Sequence, residues 1–88
     1  MSTAKRAIEK FIERFWPEAG ARIVKEEENE VVVDFYGHMC YTCGVYDYFD
    51  DFRYIFEEES GSSWKIEEYK EFEGERGKVF RVVFRKSN

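Results

Sequence analysis

The residues of this sequence that could do chemistry lie together in one short segment, between Gly37 and Gly44. The segment holds the only histidine and both cysteines of the chain, in the pattern His38-x-Cys40-x-x-Cys43. Thiolate and imidazole groups are ligands that zinc prefers, and two cysteines at this spacing can form a disulfide. The pattern therefore indicates redox chemistry, metal binding, or a turn in which these residues are structural.

In the redox interpretation, Cys40 is the nucleophile and Cys43 is the resolving partner. A thiol at a helix N-terminus ionises more readily because unpaired backbone N–H groups lie there. The order of strand, Cys-x-x-Cys and helix resembles the start of thioredoxin-like proteins, which implies thiol-disulfide exchange. The resemblance ends after this segment, because the thioredoxin-like fold continues with a further strand and helices and a cis-proline opposite the motif. The one proline of this chain, Pro17, precedes the motif.

In the metal interpretation, His38, Cys40 and Cys43 supply three ligands to a tetrahedral zinc ion. The fourth ligand would be Asp47, another carboxylate, a water molecule or a residue of a second subunit. The structural interpretation needs no cofactor: the cysteines fill a turn as small apolar residues, and His38 bonds to a backbone carbonyl. An inert disulfide that closes the loop belongs to the same interpretation.

The remaining candidates for catalysis have simpler explanations. Asp47, Asp50 and Asp51 could bind a cation or transfer protons, but acidic residues in a first helical turn are expected from the helix dipole alone. The sequence contains no glycine-rich phosphate loop and no recognisable Ser-His-Asp set. We therefore expect a protein that is not an enzyme.

The apolar periodicity predicts two helices and four strands. Residues 3–15 and 45–60 carry apolar residues at helical spacing, and Pro17 ends the first helix. Four β-favouring runs form two hairpins, with strands predicted over residues 21–27, 30–36, 64–72 and 78–85. This is an α+β fold of order αββαββ, with a four-stranded antiparallel sheet and both helices on one face.

Residues 1–88 are expected to form a single domain, since the chain is too short for two. Its halves, about 3–36 and 45–86, align in register as an αββ repeat. The repeat suggests a duplicated unit with pseudo-twofold symmetry. The alternative is that any two amphipathic helices followed by turns align this well.

The sheet face without helices is expected to be unusually apolar. We place six residues on this face as a candidate interface, namely Val24, Val32, Tyr36, Tyr69, Val79 and Val83. A free sheet face rarely exposes so much apolar surface. The sequence therefore predicts a protein-interaction module that self-associates as a homodimer.

The charge is arranged unevenly along the chain, whose net charge is -5. Residues 26–75 hold sixteen acidic and three basic side chains, whereas residues 76–88 hold five basic ones and no acidic ones. An acidic region attracts basic partners, so an inhibitor that occupies a basic nucleic-acid-binding protein is an alternative function. The basic residues of the last strand, Arg81, Arg85 and Lys86, are too few to predict direct nucleic-acid binding.

Two further expectations come from composition. The chain is 38% charged, with many Glu, Lys and Arg and no Leu or Gln, and this composition resembles that of proteins from heat-adapted organisms. No segment reaches the run of about 20 apolar residues that a membrane span needs, and the N-terminus lacks an apolar signal core. We therefore expect a cytoplasmic protein that does not bind membranes.

Overall fold

Two helices, each followed by a β-hairpin, make up the computed structural model, which describes residues 2–87. The elements are α1 (Thr3–Phe15), β1 (Gly20–Glu26), β2 (Glu30–Tyr36), α2 (Val45–Ser60), β3 (Ser63–Gly74) and β4 (Gly77–Ser87). A short 3-10 helix, His38–Tyr41, precedes α2 in the cysteine-containing segment. The αββαββ order predicted from the sequence is confirmed.

The helix ends follow from local chemistry. The side chain of Ser2 accepts a hydrogen bond of 3.0 Å from a backbone N–H of the first turn of α1, which satisfies a group with no partner inside the helix. Trp16 is extended, as a residue before proline must be, so α1 ends at Phe15. Helix α2 ends at Ser60 and is capped by Gly61, whose φ of 70° lies in the left-handed region that glycine favours.

The strands form one antiparallel sheet in the order β1-β2-β4-β3, with both helices on one face. The second strands of the two hairpins pair at the centre, where Glu30–Phe35 lies beside Phe80–Arg85. A bulge interrupts each edge strand: Val24 has no partner in β1, and the register of β3 shifts between Ile66 and Glu68. The second strands of the two predicted halves, β2 and β4, are therefore neighbours, whereas the first strands, β1 and β3, lie at opposite edges of the sheet.

Phenylalanine fills the core in place of the absent leucine. Phe35 of β2 lies at the centre, and its ring centroid is 5.2–6.4 Å from those of Phe11, Phe49, Phe52 and Phe84. All five side chains are fully buried. Aromatic rings at these distances add to the stabilisation that burial of their area provides, so both helices are fixed against the sheet.

The sheet face opposite the helices, here termed the open face, differs from the prediction at Tyr69. The ring of Tyr69 lies 5.2 Å from that of Phe49 on the helix-covered face, so its predicted place on the open face was wrong. The cause is the bulge in β3, because one extra residue reverses the alternation of side chains beyond it. The same reversal places Phe72, which pairs with Val79, on the open face.

Candidate functional site

The structure separates the two cysteines. Cys40 is buried in the core, and its Sγ donates a hydrogen bond of 3.4 Å to the carbonyl oxygen of Phe35. Cys43 is exposed, and both cysteines are free. His38 is also exposed, at the start of the 3-10 helix. The two sulfur atoms are therefore in different environments, with one inside the core and one in solvent.

Burial raises the pKa of the Cys40 thiol, which is opposite to the activation that a helix N-terminus would give. Cys40 lies in the 3-10 helix that precedes α2 and not in the first turn of α2. Within residues 2–87, no group of three His, Cys, Asp or Glu side chains is arranged to hold a metal ion. The redox and zinc hypotheses for His38, Cys40 and Cys43 stay predictions without an assembled site.

The predicted interface residues of the open face are less exposed than the sequence suggests. Val32 and Val79 are only 8% and 9% exposed in the single chain. Tyr36 and Val83 are half-buried, and Val24 is exposed at the bulge of β1.

The open face also carries an ion cluster that was not predicted from the sequence, formed by Arg22, Asp34 and Arg81. Asp34 of β2 is 0% exposed, and its two carboxylate oxygens accept hydrogen bonds of 2.8 and 3.0 Å from the guanidinium of Arg81. A guanidinium nitrogen of Arg22 lies 3.6 Å from the same carboxylate. One negative charge is thus shared by two positive charges, which leaves a net positive charge at this place.

A groove of about 830 Å³ lies beside this cluster, where the open face meets the turn between β3 and β4. Its lining combines aromatic and basic side chains with the backbone of the turn. The aromatic and charged members are Trp16, Arg22, Tyr36, His38, Tyr41, Phe72, Glu75, Arg76 and Lys78. The volume is in the range of small-molecule and cofactor sites, which is about 300–1,000 Å³.

Tyr41 forms one wall of the groove. Its Oη accepts a hydrogen bond of 2.9 Å from the backbone N–H of Lys78, and the Lys78 ammonium lies 5.1 Å from its ring centroid. Gly77 permits this contact, since a Cβ there would lie 2.6 Å from the Tyr41 Oη, and its φ of 120° also favours glycine. The 3-10 helix therefore holds an aromatic ring across the β3-β4 turn.

Trp16 and Tyr36 form the opposite wall. Their rings meet edge to face with centroids 6.0 Å apart. Both rings lie over Gly20, where a Cβ would be 2.4 Å from a ring carbon of Tyr36 and 3.0 Å from one of Trp16. The α1-β1 connection can bring an indole onto the sheet only because this position has no side chain.

The groove carries excess positive charge although the chain as a whole is acidic. Arg22, Arg76 and Lys78 carry fixed positive charges, and Glu75 is the one acid in the lining. Lys78 also lies 3.5 Å from a carboxylate outside the lining, whereas Arg76 makes no ion pair within residues 2–87. The lining therefore holds more cations than acids in a chain of net charge -5, although Arg22 and Lys78 also face carboxylates outside the lining.

The acidic surface of α2 is partly neutralised. Arg53 donates hydrogen bonds of 3.1 Å to both Asp50 and Glu57, and Glu59 forms an ion pair with Lys10 of α1. Internal pairs thus satisfy several of the carboxylates that the inhibitor hypothesis assigns to a basic partner.

No single stretch of sequence could have revealed the groove. Its residues come from the end of α1, from β1, from the segment 36–41 and from the β3-β4 hairpin. Gly20 and Gly77 permit the close approach of aromatic rings to the backbone, but neither has an aromatic neighbour in the sequence, so the sequence carried no signal of these contacts.

Two findings bear on the class of protein. None of the helices in residues 2–87 has the length and apolar character needed to traverse a lipid bilayer. Comparison with protein-family models, with curated proteins and with solved structures finds no significant match for this chain.

Proposed function

We propose that this protein is a non-enzymatic binding module that captures an anionic partner in the groove at the β3-β4 turn. The observation that supports this function most directly is the convergence of four aromatic rings and three fixed positive charges on one groove of a chain with net charge -5. A surface with no role has no need to concentrate cations in this way. Concentrated cations favour an anionic partner and accelerate its association.

The exposed aromatic surface supports the same location. Trp16 and Tyr41 are 55% and 63% exposed, and each stands at a wall of the groove. Rings of this kind supply large contact areas at low entropic cost, which is why they are enriched where proteins bind their partners. The groove therefore combines a source of affinity with a source of charge selectivity.

Nuclear magnetic resonance with inorganic tripolyphosphate as the probe tests this function. We expect the backbone amide signals of residues 74–78 and 36–41 to shift on titration. An exposed ion pair contributes about 0.2–1 kcal/mol, and charge reversal replaces attraction by repulsion, so Arg76→Glu should raise the Kd about 2- to 30-fold.

Arg6→Glu is the matched control, because Arg6 is exposed on α1, outside the groove. This substitution changes the net charge of the protein by the same amount as Arg76→Glu. It should leave the affinity within about two-fold of the original value, as expected for a screened charge far from the ligand. Equal losses for the two variants, or shifts spread over both helices, would mean that bulk charge and not the groove holds the anion.

Self-association of the open face is a second candidate function. Val24 is exposed at the bulge of β1, and Val83 is partly exposed on the same face of the sheet. A homodimer would bury these side chains together with Tyr36, which lies between the open face and the groove. Sedimentation equilibrium at tens of micromolar tests the dimer, and a monomer there would reject it.

A further inference from the structure

We infer that the anionic partner is a single-stranded nucleic acid, with its phosphates on the basic side chains and its bases against the aromatic rings. This inference rests on the proposed function, because it names the ligand class of the same groove. It also revises the expectation that the chain makes no direct contact with nucleic acid. That expectation rested on the acidic charge of residues 26–75, on the lack of a basic aromatic platform in the sequence and on the small number of basic residues in the last strand.

The arrangement of the open face supports a base-stacking platform. Two adjacent rows cross the sheet beside the groove. The first is ionic and joins Arg22, Asp34, Arg81 and Lys70. The second is aromatic, with Tyr36 on β2 and Phe72 on β3. Open sheet faces that carry aromatic and basic side chains commonly bind single strands, because unpaired bases can stack on the rings.

Arg81 contributes to both rows. Its guanidinium pairs with the carboxylate of Asp34 and also lies 5.1 Å from the ring centroid of Phe72. A planar cation fixed in this manner can stack on a base or bind a phosphate, as arginine does at nucleic-acid interfaces. The buried Asp34 thus positions the arginine beside the groove.

Two groups of acidic residues lie away from this platform, although Glu75 lines the groove and Glu71 lies 3.5 Å from Lys78. The first group lies at the opposite end of β1 and consists of Glu26, Glu27 and Glu28. In a seven-residue strand this end is about 20 Å from Gly20. That distance exceeds two Debye lengths at physiological salt, where one length is about 8 Å. The second group lies on helix α2, which covers the other face of the sheet. The negative charge of these two groups therefore opposes a strand in the groove only weakly.

Fluorescence anisotropy with a labelled thymidine oligonucleotide of about eight nucleotides tests the inference, since single-strand sites span about 4–16 nucleotides. Trp16→Ala should weaken binding about 5- to 150-fold, the loss that removal of one stacked base produces. Tyr54→Ala is the matched control, because Tyr54 is an equally exposed ring on α2. It should leave the affinity unchanged. Circular dichroism and thermal unfolding verify that both variants are folded.

The dependence on salt gives a second, independent readout. Three phosphate contacts, with Arg22, Arg76 and Lys78, predict a slope of log K against log salt near about -2, because each contact on a single strand contributes about -0.7. Affinity should then fall about 20-fold between about 50 and 200 mM salt. Arg76→Glu should reduce the magnitude of this slope by about 0.7.

Inorganic polyphosphate of similar length and a DNA duplex distinguish the outcomes. Tighter binding of the single strand than of either probe, together with the loss in Trp16→Ala, supports the inference. Equal binding of the single strand and polyphosphate, with no effect of Trp16→Ala, overturns the nucleic-acid ligand and leaves the anion-binding function intact. Equal binding of the duplex also overturns it, since bases in a duplex cannot stack on the rings. No binding of any probe refutes both proposals.

Discussion

Replacement of Asp34 by asparagine tests whether the buried ion cluster stabilises the open face. The substitution keeps the size of the side chain and removes its charge. Two hydrogen bonds, of 2.8 and 3.0 Å, join the carboxylate to Arg81. Breaking a buried ion pair by removing one partner costs about 3–5 kcal/mol. Because the Arg81 side chain is 37% exposed, water replaces part of the lost interaction, and we expect a loss of about 2–3 kcal/mol.

Urea denaturation followed by circular dichroism measures this loss of unfolding free energy. For a domain of this size, about 4–8 °C of melting temperature corresponds to each kcal/mol, so the melting temperature should fall by about 10–20 °C. Asp47→Asn is the control, since Asp47 is exposed and makes no ion pair within residues 2–87; it should change stability by about 0.5 kcal/mol or less. Equal small effects of the two substitutions would refute the assignment of Asp34 as a stabilising buried charge.

Three further outcomes are expected. Cys40→Ser should lower the unfolding free energy by about 1–3 kcal/mol because it places a hydroxyl in the core, whereas Cys43→Ser should leave the stability unchanged. A thiol reagent should modify only Cys43 in the folded protein and both cysteines in urea. A hydrogen bond to Glu18 raises the pKa of Tyr48 to about 12. The bond therefore stabilises the fold fully below the unfolded pKa of about 10, and this stabilisation is lost as the pH rises to 12. Urea titrations at several pH values should show that the difference in unfolding free energy between the original protein and Tyr48→Phe shrinks over that interval. Gly20→Ala should lower the unfolding free energy by about 1–3 kcal/mol and displace the rings of Trp16 and Tyr36. Gly44→Ala should do neither, because a Cβ at Gly44 has its nearest contact at 3.6 Å. Urea denaturation measures the stability of both variants, and their aromatic NMR signals report the ring positions.

The helices and strands were predictable because each has a local signal. Helix α1 ends before Pro17 as expected, and the structure begins α2 at Val45 and ends it at Ser60, as the apolar spacing indicates. Alternation along β2 also predicted correctly that Val33 faces the core and Asp34 the opposite side. These features depend on the periodicity of a single segment, which a sequence displays directly.

Features that depend on several segments could not be predicted. The bulge in β3 leaves no clear mark in the sequence, so strict alternation placed Tyr69 on the wrong face and gave no reason to expect Phe72 in the groove. Asp34 has the appearance of an ordinary outward-facing residue until β4 supplies Arg81 beside it. The composition of the segment 37–44 indicates cysteine chemistry, whereas in the structure this segment places Tyr41 over the β3-β4 turn, where it accepts a hydrogen bond from Lys78.

The bulges at the edges of the sheet have a consequence for how copies of the protein meet. Both edge strands, β1 and β3, are interrupted by a bulge, and three of the seven residues of β1 and six of the twelve residues of β3 are charged. Neither edge therefore offers the long, flat row of free N–H and C=O groups on which another strand could pair. We therefore expect that extension of the sheet from one molecule to the next, and amyloid-like polymerisation of the folded chain, are disfavoured.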